Sequence, residues 1–158
     1  MGAAINHFLD QFNKFKSLPS GAPFSISVTD AEATAAAQEY VSENKTLIRQ
    51  LIQRSAGVGL DVEKPEIWFR NNGITLSAKG GRGLLKVGAS LDADVQWNGR
   101  LNVHVNSVNV PFVSISPEKL NSVVEKPLEE VMRTVEDYAV IRSFSLKNGL
   151  AVLEAVRK

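Results

Sequence analysis

Cysteine is absent from the 158 residues, so the chain can form no disulfide, carry no thiol nucleophile and build no zinc–thiolate site. Histidine occurs twice, as His7 and His104. Neither has a second histidine at metal-ligand spacing, such as i and i+4 on a helix, which argues against a metal or catalytic role for either. No run approaches the ~20 apolar residues of a membrane-crossing helix, and no signal-peptide pattern is visible. Charge of neither sign dominates: 18 Lys and Arg stand against 17 Asp and Glu, for a formal charge of +1. Such an even, interspersed balance gives no long-range pull on a polyanion, so nucleic acid is not an expected partner.

What remains is an ordinary globular composition, 44% apolar and 22% charged, in a chain long enough to bury one sizeable core. Residues 4–18 place Ile5, Phe8, Leu9, Phe12 and Phe15 at helical spacing. That amphipathic stripe either docks on the domain's own core or contacts a membrane surface. The segment 19–23, PSGAP, reads as a linker. The division expected is therefore helix and linker over 1–23 and a single domain over 24–158.

Within that domain, Phe24, Ile26 and Val28 alternate as a short strand. Thr29 and Glu32 then form a capping-box pattern ahead of an alanine-rich helix to about Arg54, with a weak point over Ser42–Thr46. From Leu60 the period changes to two. One hairpin turns at Asn71-Asn72-Gly73, GGRG at 80–83 makes a second turn, and Asn98-Gly99 makes a third. In the ribbon around Asn98-Gly99, Val95, Trp97, Leu101, Val103 and Val105 share one face. Parity slips after Val105, since Val108 and Val110 are even, and a bulge near Asn106-Ser107 accounts for it. Ser116-Pro117 begins another helix, with an apolar stripe from Leu120 to Tyr138 and Pro127 inside it as an expected kink or split. A hairpin over Lys147-Asn148-Gly149 closes the chain. The order predicts an α+β fold, a curved antiparallel β-sheet wrapped around one or two long helices.

Patterns that could carry catalysis resolve into structural ones. Asp92 and Asp94 project to one strand face, but no calcium loop surrounds them and alternation with Ala93 and Val95 explains them as solvated. Glu129-Glu130 and Glu136-Asp137 read as the wet side of the second long helix. The Lys79–Gly83 run lacks the Lys-Ser or Lys-Thr of a phosphate loop, and no helix follows it. No enzyme and no cofactor is expected.

Three segments carry a resemblance. They are Phe24–Glu32 (FSISVTDAE), Val62–Leu76 (VEKPEIWFRNNGITL), and the run through Val105–Pro111 (VNSVNVP), the Ser116-Pro117 helix and Ser143–Val152 (SFSLKNGLAV). Over about residues 24–155 the chain resembles membrane-anchored bacterial envelope proteins with tubular lipid-binding (TULIP-like) domains. The resemblance implies a long helix lying in a curved sheet with a lipid chain between them. It also implies no catalytic residues and an extracytoplasmic location at the bacterial envelope, with an N-terminal tether that this chain does not contain. Lipid or another hydrophobic small molecule is then the expected partner. Leu47, Leu51, Leu76, Leu91, Val124, Leu128 and Met132 are the expected groove wall, with Met132 foremost because methionine adapts to varied shapes. The rival expectation is an interaction or scaffold domain whose apolar faces close into a dry core.

Overall fold

The computed structural model describes residues 3–57, 59–82, 85–110 and 114–158. These form helices α1 (Ala3–Lys16), α2 (Asp30–Glu43), α3 (Lys45–Ala56) and α4 (Asn121–Glu136). The strands are β1 (Pro23–Thr29), β2 (Asp61–Arg70), β3 (Gly73–Arg82), β4 (Leu85–Trp97), β5 (Leu101–Asn109), β6 (Ala139–Lys147) and β7 (Leu150–Arg157). The class is α+β and every strand pairing is antiparallel.

The strands form two sheets rather than one. Strands β2-β3-β4-β5 pair in sequence order, while the late hairpin β6–β7 pairs with the early β1 in the order β1-β7-β6. Hairpin turns stitch the sheets together. The Asn72 N–H donates to the Leu146 carbonyl at 3.0 Å, and the Gly149 N–H donates to the Phe69 carbonyl at 2.9 Å. Asn72 holds φ 59° in its turn, a left-handed conformation that asparagine tolerates better than most residues.

Local sequence signals explain most boundaries. The Thr29 hydroxyl accepts the Glu32 N–H at 3.3 Å and caps α2. The expected single helix over 29–54 is two helices, broken at Asn44 within the expected weak point. Asn44 has φ −126°, and its side chain donates to the Tyr40 carbonyl at 2.9 Å, competing with a continued helix. The bulge near Asn106 is present: Asp92 faces Ser107 while Ala93 faces Val105, leaving Asn106 as the extra residue. Ser116 precedes a 3₁₀ turn, Pro117–Leu120, and makes no side-chain cap. Helix α4 continues through Pro127 as one element, so the expected split does not occur. In the GGRG segment, Gly80–Arg82 extend β3, and the turn at 83–84 lies outside the described residues.

Three sheet edges are covered by helical side chains. On α2, Asp30, Thr34 and Gln38 recur every four residues and bond the β2 backbone at Phe69, Ile67 and Pro65, every two residues. On α1, the Gln11 amide accepts from the Ser27 N–H at 3.2 Å and donates to the Ser27 carbonyl at 3.1 Å, covering β1. On α4, the Asn121 side-chain oxygen accepts the Val105 N–H of β5 at 2.8 Å.

One core cluster gathers Phe69, Ile74, Ala93, Val95, Val103 and Val105 of the four-stranded sheet with Leu146, Ala151 and Val124. A second joins Phe12 and Phe15 of α1 with Ile26, Leu153 and Ala155 of the three-stranded sheet and Met132 and Val135 of α4. Helix α4 and strands β6 and β7 thus contribute to both. Helix α1 docks on the domain: Phe15 stacks on Phe24 at 4.0 Å between ring centres and meets Tyr138 edge-on at 6.2 Å. The side chains of Ile5 and Phe8 lie outside the described residues.

Candidate functional site

The apolar stripe of α4 is wider than its packing. Val124, Met132 and Val135 are buried, whereas Val131, beside them on the helix, is 44% exposed. Helix α2 likewise buries no residue fully, although its Ala33, Ala36, Ala37 and Tyr40 are all half-buried. A groove of about 60 Å³ opens beside α4, floored by Ile26 and Val28 of β1, Phe144 of β6 and Leu153 of β7, and walled by Leu128, Val131 and Met132. Its lining is entirely apolar.

A second, larger cleft of about 560 Å³ lies between α4 and the β4–β5 turn. The base of the Asn98-Gly99 ribbon is core, since Val95, Val103 and Val105 are buried. Its tip is not: Trp97, Gly99, Arg100, Leu101 and Asn102 line the cleft, with Val103 at the back. Across from them, Glu125, Glu129, Met132, Arg133 and Glu136 form one stripe of α4. Met132 lines both clefts and is only 4% exposed. Proximity to the Glu129 carboxylate, which favours the protonated form of Glu125 as a donor toward it, together with partial burial pushes the Glu125 carboxyl above its ordinary value, and Arg100 opposes that rise.

The seven expected wall residues are divided by the fold. Leu128 and Met132 meet at the apolar groove. Leu76, Leu91 and Val124 pack in the first core cluster and line neither cleft. Leu47 is 44% exposed on α3, and Leu51 is half-buried on the same helix; both also lie off the two clefts. Sequence reasoning missed the floor from β1, β6 and β7, because pairing between the first and last strands leaves no local trace. It also assigned Glu129 and Glu136 to a plain wet face. The signal available was the i, i+4 repetition of like charge, Glu125 and Glu129, on the flank of an apolar stripe.

The other titratable groups serve structure. His7 Nδ1 lies 2.5 Å from Glu32 Oε2 and ties α1 to α2. Burial raises the Glu32 carboxyl, but hydrogen bonds from His7 and Thr29 outweigh it and hold the group below its ordinary value. Asp92 accepts from the Thr75 hydroxyl at 2.6 Å and the Ser107 hydroxyl at 3.1 Å on the outer sheet face, which is exposed there as expected. Among the described residues, no group of three metal-ligating side chains is clustered, and no helix is long and apolar enough to cross a membrane.

Fold and clefts together define an α+β domain in which one amphipathic helix separates an apolar groove from a charged cleft. Compared with known protein families and with curated proteins, the chain matches none.

Proposed function

We propose that this domain binds a lipid or another hydrophobic ligand without catalysis, using the groove beside α4. The observation that carries this is the all-apolar lining of an open groove, with Val131 left 44% exposed on the helix's own apolar stripe. On this reading, the two sheets and α4 act as a TULIP-like holder, and the bacterial envelope is its place, with residues 4–18 facing the membrane side. Both of those points rest on the sequence resemblance. Each buried methylene contributes about 0.8 kcal/mol, so even a chain end held in the groove adds measurable affinity.

Purification from a bacterial host, solvent extraction and mass spectrometry test the reading. Near-stoichiometric lipid, lost in Val131→Asp, is the expected result. A clean ligand-free mass that phospholipid does not change would overturn it.

A second reading is favoured by one measurement. The groove's 60 Å³ is well below the ~300–1,000 Å³ of sites that enclose a small molecule. A scaffold domain that receives one apolar side chain of a partner fits that space as it stands.

A further inference from the structure

The larger cleft has a chemistry that the apolar groove lacks. Glu125 and Glu129 stand one helical turn apart on its α4 wall. Like charges at that spacing weaken a helix, so a cation placed between the two carboxylates relieves a repulsion built into α4. Among the described residues, neither Arg100 nor Arg133 is in ion-pair contact with them. The same cleft is also lined by Met132 from α4 and by Trp97 and Leu101 from the ribbon. Its volume of about 560 Å³ falls within the ~300–1,000 Å³ of small-molecule sites.

We propose that this cleft binds the ammonium group of an amphiphilic amine, with the cation donating to Glu125 and Glu129 and the apolar body lying on Trp97, Leu101 and Met132. A primary ammonium has three donors and no acceptor, which suits two adjacent carboxylates. An indole adds attraction for a cation near its face. The inference rests on the hydrophobic-ligand reading and deepens it by giving the ligand a polar head: Met132, common to the linings of both clefts, is part of the apolar surface that meets its body. An aminolipid head group and a free long-chain amine share this chemistry.

The test uses the full chain with Trp68→Phe, which leaves Trp97 as the fluorescent reporter, and monomeric ligands below their micelle concentrations. Dodecylammonium is expected to bind roughly tenfold tighter than dodecyl maltoside, the scale of a charge-assisted hydrogen bond. Glu125→Gln with Glu129→Gln is expected to abolish that preference and leave maltoside binding unchanged. Dodecylphosphoethanolamine binding as tightly as dodecylammonium assigns the site to a lipid head group, and weaker binding assigns it to a free amine. Equal affinity for the ammonium and the maltoside, or a preference that survives both substitutions, would overturn the amine inference while the hydrophobic-ligand reading stands. Ethylammonium binding as tightly as dodecylammonium would leave the amine site and remove the hydrophobic-ligand reading. Absence of binding by every compound would sink both.

Discussion

The Thr34 hydroxyl accepts the Ile67 N–H at 2.9 Å and donates to the Ile67 carbonyl at 3.3 Å, taking the place of a neighbouring strand. The match of helix to strand is metric. Four residues of helix advance about 6.0 Å, and two residues of strand about 6.6 Å, so Asp30, Thr34 and Gln38 stay in step with Phe69, Ile67 and Pro65.

Replacing Thr34 with valine keeps the shape and strands both Ile67 groups. A loss of about 1–3 kcal/mol is expected, measured by urea unfolding. Hydrogen exchange at the Ile67 amide should quicken more than at Val95, whose N–H is held by the Asn72 carbonyl at 3.0 Å.

Acid should loosen the link between α1 and α2. Because the folded Glu32 carboxyl is held below its ordinary value of 4.5, its contribution is complete above that value and is lost as pH falls through the lower, folded one. Tm profiles of the natural chain and Glu32→Gln should differ near neutrality and converge in acid. A constant separation would show that the charge of Glu32 does not matter.

Removing repulsion on α4 should stabilise it. Glu125→Gln is expected to raise stability by about 0.2–0.5 kcal/mol at neutral pH, the ordinary size of an i, i+4 like-charge pair. The sign follows from the raised Glu125 carboxyl: the native state gives up stability as pH rises through that group's titration, and the gain in the variant should vanish in acid.

Val131→Asp separates binding from folding. Val131 is 44% exposed, so Tm should move little, within about 0.5 kcal/mol of stability. Retention of hydrophobic ligand should fall sharply, read by native mass spectrometry.

Periodicity and turn chemistry made most elements legible. The Phe12–Phe15 stripe announced an amphipathic α1 but left open what it covers, which the structure answers with the core, and the parity change after Val105 announced a bulge near Asn106. Register between distant segments was not legible. Nothing around Phe24 or Leu153 states that Ile26 pairs with Leu153, and that pairing makes two sheets instead of one and floors the groove. For the site, Met132 and Leu128 could be found from an apolar stripe, because a stripe must be covered by something. Leu76 and Leu91 show the weakness of that argument: the same stripe chemistry fills a core. Glu125 and Glu129 were overlooked because a carboxylate on a helix looks solvated until the opposing ribbon tip, Trp97 to Val103, is placed across from it.

The two sheets are held to each other at Asn72 and Gly149 by main-chain groups. Main-chain donors and acceptors survive almost any side-chain replacement, so either sheet's surface can be rewritten without unlinking the halves. The exceptions are the turn positions themselves. Asn72 at φ 59° and Gly149 at φ 79° are where a β-branched residue would strain both turns at once with the stitch. The core that joins Phe69 and Val95 to Leu146 and Ala151 also couples the halves, so a variant at either turn should lower the urea midpoint while unfolding stays a single step.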